Sequence, residues 1–274
     1  MASLTTFTSG TKAKSSEVNA NFQVVKTTHN YNGLAFGGDG SDGALNVTSG
    51  TTTLTRSKVF NYSSINISAG AILTVNTTYN TESLMILCSG NCVIDGTINL
   101  VGLGGNGGAV GTNPTSGEDV GYYVRGGGGV NGGGQYYGNG GGSAVASGGN
   151  GSIGSNPGRP YFTQLSTGEG SGIACTGTGA GGGRLGAAPG KGGCGLYLEI
   201  AGNLDVSGTI DLSGATVSAS YASGGGSGCG IIKYVGTLTE TTPTYTADGG
   251  GSHATLGADG GDGRILLMKY SNVI

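Results

Sequence analysis

Residues 84–102 read LMILCSGNCVIDGTINLVG, and residues 196–214 read LYLEIAGNLDVSGTIDLSG. The two stretches align without a gap at an offset of 112, with Leu84/Leu196, Gly90/Gly202, Asn91/Asn203, Gly96/Gly208, Thr97/Thr209, Ile98/Ile210, Leu100/Leu212 and Gly102/Gly214 identical. Each copy is a short apolar strand, a tight turn (Ser89-Gly90-Asn91 in the first), a second strand, a turn at Asp95-Gly96 or its equivalent, a third strand, and then a glycine tract. Such a unit cannot bury its apolar faces alone. Stacked units share one continuous core, so the pattern predicts an all-β chain of β-solenoid-like stacked strands.

Working outward, partial copies appear at Ile65–Val75 (INISAGAILTV) and Ile231–Leu238 (IIKYVGTL), and a further strand is expected at Arg264–Tyr270. The approaches to the later strands also repeat. Gly193-Cys194-Gly195-Leu196 matches Gly228-Cys229-Gly230-Ile231, with Asp262-Gly263-Arg264-Ile265 a weaker copy, which puts Cys194 and Cys229 at equivalent places on neighbouring rungs. The chain thus divides into an N-terminal segment (1–36), a strand-rich stretch (37–103), a glycine-rich stretch (104–194) and a second strand-rich stretch (195–274). Within the first, Val18, Phe22 and Val25 share one face at helical spacing, and a short helix is expected there.

Composition narrows the class. The chain has 274 residues and 63 glycines, only 5 prolines, no Trp, and 10% charged residues. Glycine without a G-X-Y period and without proline is not collagen, and a disordered chain would be rich in Pro, Glu and Lys. The net charge of −3, with 12 Lys and Arg scattered singly, leaves no electrostatic footprint for nucleic acid. No apolar run has the length of a membrane span, so no membrane insertion is expected. Residues 1–14 hold no apolar signal-peptide core, which predicts synthesis in a cytosol without standard export.

Glycine loses more backbone entropy on folding than any other residue, so tracts such as 104–108, 126–129, 131–134, 139–142 and 181–183 must either pack or stay loose. Extended three-residue-per-turn helices of the polyglycine II type, packed backbone against backbone, use the missing side chain to advantage. Three aromatic patches interrupt the tracts: Tyr122-Tyr123-Val124-Arg125, Tyr136-Tyr137 and Arg159-Pro160-Tyr161-Phe162. Tyrosine offers a large rigid contact surface with a polar tip, which makes Tyr122, Tyr123, Arg125, Tyr136, Tyr137, Arg159, Tyr161 and Phe162 candidate receptor-binding residues. The same rings would equally serve as core or as a subunit interface.

Other chemistry is weakly represented. Gly37-Gly38-Asp39-Gly40-Ser41-Asp42-Gly43 imitates a calcium-binding nonapeptide, but as one copy it reads as a turn, as does Asp259-Gly260-Gly261-Asp262-Gly263. Gly181-Gly182-Gly183-Arg184 lacks the ending of a phosphate loop. Paired carboxylates for sugar cleavage would come from Glu118, Asp119, Glu169, Glu199 and Asp205, without the Trp of a sugar groove. With two histidines, His29 and His253, neither a hydrolase triad nor a metal cage is expected. Cys88, Cys92, Cys175, Cys194 and Cys229 are odd in number and widely spaced, and read as small buried residues with free thiols. The expectation is a non-enzymatic chain with no cofactor and no metal.

The phrase from Phe7 to Phe22, FTSGTKAKSSEVNANF, resembles a recurring leader of bacteriophage tail-fibre and other virion structural proteins. Gly37–Ala44 and Ile67–Val75 are similar to what often follows it, and the glycine-rich middle resembles phage tip adhesins built of packed polyglycine helices. The resemblance implies a virion protein that recognises a bacterial surface polysaccharide or outer-membrane protein by non-covalent binding. It also implies attachment to other tail proteins through the N-terminus (Phe7, Val18, Asn19, Asn21 and Phe22) and a homo-oligomer, with a trimer favoured. The alternative is a purely structural fibre shaft or decoration without receptor contact; an ice-binding or cell-surface polyglycine protein is a third reading, disfavoured by the missing signal peptide.

Overall fold

The structure, a computed structural model, describes residues 36–56, 58–78, 83–108, 188–218, 222–252 and 258–270. Among these residues there are fifteen strands and no helix. The strands are β1 (Ala44–Val47), β2 (Thr51–Leu54), β3 (Phe60–Tyr62), β4 (Ser64–Ile67), β5 (Ile72–Val75), β6 (Leu84–Cys88), β7 (Cys92–Ile94) and β8 (Thr97–Asn99), followed by β9 (Leu196–Ile200), β10 (Leu204–Val206), β11 (Thr209–Asp211), β12 (Gly230–Tyr234), β13 (Leu238–Glu240), β14 (Thr244–Thr246) and β15 (Ile265–Lys269). They form three parallel sheets of five strands, ordered β1-β4-β7-β10-β13, β2-β5-β8-β11-β14 and β3-β6-β9-β12-β15. The chain therefore visits a first, second and third sheet in turn and repeats the circuit five times, one rung per circuit. The stacking is β-solenoid-like, as the internal repeat predicts. The third rung takes β7 and β8 from before the long glycine-rich stretch and β9 from after it, so both strand-rich stretches build the same sheets.

The sequence alignment at offset 112 is the physical register. Leu84 to Cys88 pair with Leu196 to Ile200, Cys92 with Leu204, and Thr97 with Thr209. One rung on, the register departs from the glycine-cysteine frame: Leu196 pairs with Gly230 and Tyr197 with Ile231, instead of Leu196 with Ile231. Side-chain alternation explains the shift. In the observed register Leu198 lies against Ile232 and Ile200 against Tyr234 in the core, while Glu199 and Lys233 sit side by side on the partly exposed face. A one-residue slip would turn Lys233 inward. Cys194 and Cys229 still fall on neighbouring rungs, because the Leu196 N–H donates to the Cys229 carbonyl at 3.1 Å. The missing residue returns at the corner between β13 and β14, where Thr242 takes a left-handed φ of 54°.

The core runs down the axis. Ile67, Leu73, Ile86, Ile94, Ile98, Leu198, Leu204 and Ile210 are fully buried, each worth about 1.5–3 kcal/mol of transfer free energy. Two corners are tight. After β6, β9 and β12, a Cβ on Gly90, Gly202 or Gly236 would run into the backbone of Ser63, Gly90 or Gly202, one rung below. At the same corner the Asn91 carbonyl oxygen Oδ1 accepts the Asn203 N–H, and Asn203 Oδ1 accepts the Thr237 N–H, each at 2.9 Å. This ladder gives the repeated Gly-Asn its physical cause. At the next corner, Gly96 and Gly208 are equally closed in by the carbonyls of Ser68, Ala71 and Gly96.

Cys88, Cys92, Cys194 and Cys229 are buried free thiols. Burial pushes the Cys88 and Cys92 thiols up, Cys92 strongly, so both stay protonated in mildly alkaline buffer. Alkylation at pH 8 followed by peptide mass spectrometry should leave all four unmodified in the native protein and label all four in denaturant. Rapid native labelling of Cys88 or Cys92 would contradict this core.

Candidate interaction surface

All five connections from the second sheet to the third leave from one corner: residues 55–59, 76–83, 100–195, 212–229 and 247–264. The first two are short, and the last three are glycine-rich. Each of these three leaves the wall on an outgoing arm and comes back on a returning arm. Within a rung, the arms bond to each other. Gly104 N–H donates to the Gly192 carbonyl (2.5 Å), Gly192 N–H to Gly105 (2.9 Å), Gly228 N–H to Leu212 (2.8 Å) and Gly260 N–H to Gly250 (2.9 Å). Between rungs, Ala215 N–H donates to Lys191 (2.8 Å), Gly193 to Gly226 (2.8 Å), Gly214 to Asp248 (3.0 Å) and Gly250 to Gly225 (2.8 Å). The network therefore extends in two directions, where a sheet extends in one.

Glycine is required here for its missing side chain. A Cβ on Gly225 would lie inside the Lys191 carbonyl, one on Gly260 inside the Gly225 carbonyl, and one on Gly250 inside the Ala215 carbonyl. None of these glycines has a left-handed φ. Gly43 is the opposite case, with φ +75° and open space around it. Gly225→Ala should therefore cost more stability than Gly43→Ala, about 2–4 against about 1–2 kcal/mol, read from urea unfolding midpoints. Equal costs would mean that the arms do not pack as described.

The candidate receptor residues Tyr122, Tyr123, Arg125, Tyr136, Tyr137, Arg159, Tyr161 and Phe162 lie outside the described residues, as do the candidate attachment residues Phe7, Val18, Asn19, Asn21 and Phe22. The helix expected around Val18 to Val25, Cys175, both histidines, and the carboxylates Glu118, Asp119 and Glu169 are also outside them. The described arms do fix the roots of the aromatic stretch: it leaves after Gly108 and re-enters at Ala188, with the third-rung arms hydrogen-bonded between.

Glu199 and Asp205 belong to different sheets, on the third and first faces, and neither side chain points into the core. Glu199 accepts the Tyr197 hydroxyl at 2.5 Å and the Gly37 N–H at 2.8 Å. Lys233 lies 5.3 Å from the Tyr197 ring centroid. The aspartates of the two glycine-aspartate motifs serve the local backbone. Asp39 accepts the Ser41 N–H (3.0 Å), Asp42 pairs with Lys58 (2.5 Å) and the Asn61 N–H (2.8 Å), Asp262 accepts the Gly249 N–H (2.8 Å) and Asp259 the Ser252 N–H (2.6 Å). Ser41 holds Asp39, and Lys58 with the Asn61 N–H holds Asp42, below the usual carboxylate range. Among the described residues no group of three or more His, Cys, Asp or Glu is arranged to hold a metal, and no helix is long and apolar enough to cross a membrane.

Sequence reasoning missed the outer face of the third sheet. The exposed large apolar side chains Val59, Met85, Met268 and Tyr270 all lie on or beside its strands. A strap made of residues 36–40 crosses this face. Phe36 stacks on Tyr270 at 4.7 Å, Gly37 lies on Ala201 and the Cys88 carbonyl, and Gly38 on Leu87 and Asn61. The period-two pattern of β6 and β9 was the available signal, since it leaves Met85, Tyr197 and Glu199 outward.

No family model matches the chain, and neither a curated protein nor a solved structure matches it.

Burial first, and then its hydrogen bond to Glu199, raise the Tyr197 hydroxyl well above its usual value near 10. The unfolded phenol ionises first, so the stability that neutral Tyr197 contributes is complete below about pH 10 and is lost as pH rises beyond it. Tyr197→Phe should flatten the alkaline limb of the stability–pH profile. An unchanged limb would separate Tyr197 from the anchoring of the strap.

Proposed function

We propose that the chain is a bacteriophage virion protein of the tail-fibre or adhesin type, which recognises a bacterial surface receptor by non-covalent binding. One observation carries the reading: a stiff stacked body directs its glycine-rich connections from a single corner, and the third-rung pair brackets the stretch holding the three tyrosine patches. That layout suits display, because the stacked rungs supply the rigidity that a glycine-rich stretch lacks by itself. The arms fit a polyglycine II reading: side-chain-free backbones in close approach, bonded in two directions, with Gly225, Gly250 and Gly260 outside the left-handed region. The chemistry proposed is contact by Tyr and Arg with a polysaccharide or an outer-membrane protein, with no catalysis and no cofactor. The N-terminal segment would join the chain to other tail proteins, in a homotrimer, at the virion.

A second reading, a structural shaft or decoration without receptor contact, draws on the apolar outer face of the third sheet. Met85 is 41% exposed there and Tyr270 48%, which suits packing against a sister subunit. Competition for adsorption separates the two. Purified protein should block phage adsorption to host cells, and a variant with Tyr122, Tyr123, Tyr136 and Tyr137 all changed to Ala should lose that block while keeping its fold and oligomeric state. If the variant instead loses solubility or assembly, the rings are core and the shaft reading stands.

A further inference from the structure

The hydrogen bonds between the glycine arms have a period of three. On the returning side, the Gly190 and Gly193 N–H groups donate up the stack to the carbonyls of Ser223 and Gly226, and those of Gly224 and Ser227 donate to Ala258 and Gly261. The outgoing arms keep the same interval, with Gly214 and Val217 donating to Asp248 and Gly251 of the next rung. Every third N–H facing the same neighbour is the spacing of an extended helix with three residues per turn. Counted back from the wall register Leu196–Gly230–Ile265, the upward-donating positions of the returning arms are 190 and 193, then 224 and 227, then 259 and 262. By the pairing of Asp211 with Thr246, Gly214 and Val217 of the fourth rung correspond to Gly249 and Ser252 of the fifth.

The residues at these positions change at the last rung. A Cβ on Gly190, Gly193 or Gly224 would collide with the carbonyl of Ala215, Leu212 or Gly250, and Ser227 is the one small side chain admitted. In the fifth rung the same two positions are Asp259 and Asp262, and both are exposed. Their carboxylates reach across to the outgoing arm. Asp262 accepts the Gly249 N–H at 2.8 Å and Asp259 accepts the Ser252 N–H at 2.6 Å. Gly249 and Ser252 carry the two donors whose fourth-rung equivalents go to backbone carbonyls of the rung above. The wall changes in the same sense. Val206 and Tyr234 are buried in the fourth rung, whereas Glu240 and Lys269, which pair with them in the fifth, are exposed, and the Tyr245 hydroxyl donates to Glu240 at 2.8 Å.

We propose that Asp259 and Asp262 are an end-stop for the stack, which keeps a second copy of this chain from adding its own glycine arms to the fifth-rung edge. Arms in this fold bond to parallel neighbours, as Gly224 to Ala258, and to antiparallel ones, as Gly228 to Leu212. An uncapped edge would therefore accept an incoming arm of either direction. With the aspartates in place its donors are taken, and an added layer would have to bury two carboxylates. The device belongs to the fold and does not depend on the virion assignment.

The test compares the full chain with Asp259→Gly/Asp262→Gly, which restores the glycines of the third rung, and with Asp259→Asn/Asp262→Asn, which keeps an acceptor oxygen at both positions. Sedimentation velocity is measured over a wide range of concentration, together with hydrogen exchange resolved at Gly249 and Ser252. In dilute solution the glycine pair should exchange these two amides about tenfold faster than the full chain, with Gly214 and Val217 unchanged. At high concentration it should form larger species than the full chain does, and protection at Gly249 and Ser252 should return. The asparagine pair should keep that protection in dilute solution. A glycine pair that sediments as the full chain does at every concentration overturns the end-stop, and so does unchanged protection of the two amides. If the glycine pair loses β13 to β15 altogether, Asp259→Gly alone decides, because it frees only the Ser252 N–H: faster exchange there with new association supports the proposal, and sedimentation like that of the full chain overturns it.

Discussion

Parallel stacking at about 4.8 Å puts every backbone position directly over its equivalent one rung away, and this constraint governs the rest of the molecule. On the flat faces it is easily met. Side chains alternate in and out, and like residues lie over like, as Ile98 over Ile210 and Asn46 over Asn66. At corners the chain turns toward its neighbour, and a Cβ has nowhere to go. Gly90 under Gly202 and Gly96 under Gly208 are the result. The arms extend the same rule beyond the sheets, since there backbone meets backbone on more than one side. The entropy that glycine gives up on ordering is offset by hydrogen bonds worth about 1 kcal/mol each and by close packing that no larger residue permits.

Closure entropy explains how one rung tolerates so large an insertion. The cost of joining loop ends rises with the logarithm of length, so the connection at 100–195 costs only about 1.5 kcal/mol more than the one at 212–229. What must be preserved is the geometry of its two ends. The hydrogen bonds of Gly104, Gly105 and Gly192, with those of Gly193 and Lys191 to the next rung, hold that geometry. The ends are thus treated as part of the stack, whatever lies between them.

The stretch that repeated without a gap was readable because it contains no insertion: from Leu84 to Asn99 the pairing partner is always the residue of the aligned copy. The shift at β12 was hidden by Gly-Cys-Gly, which marks the approach to both strands but reaches the wall one residue out of step. Strands β2 and β14 are largely Thr and β13 is Leu-Thr-Glu, so all three carry little apolar signal, and they form because neighbouring rungs template them. The strap was opaque for a different reason. Gly37-Gly38-Asp39 looks like any glycine-aspartate turn in sequence, and only the close approach to Ala201, Leu87 and Asn61 shows why side chains are excluded. The single-corner origin of the excursions was equally out of reach, because a linear repeat shows that a tract follows the third strand but not where that strand ends in space. The aromatic patches and the N-terminal leader were legible only as texture and resemblance.

The corners also explain why long insertions are confined to one edge. Two of the three are locked: one by the Gly90, Gly202 and Gly236 stack with its Asn91–Asn203–Thr237 ladder, the other by Gly96 and Gly208. Long additions at either would break contacts on the rungs above and below, and the changes seen between the first and second sheets are of one or two residues: 68–71 in the second rung, 95–96 and 207–208 in the third and fourth, and 241–243 in the fifth, where Thr242 takes a left-handed conformation. The corner between the second and third sheets carries no such lock in the first two rungs, where the connections already differ in length. Insertions therefore accumulate along that edge, parallel to the stacking axis and one above another. Neighbouring excursions then meet, and the chemistry that lets them meet without side-chain collision is glycine. The high glycine content and the single-edge display are two consequences of the same stacking geometry.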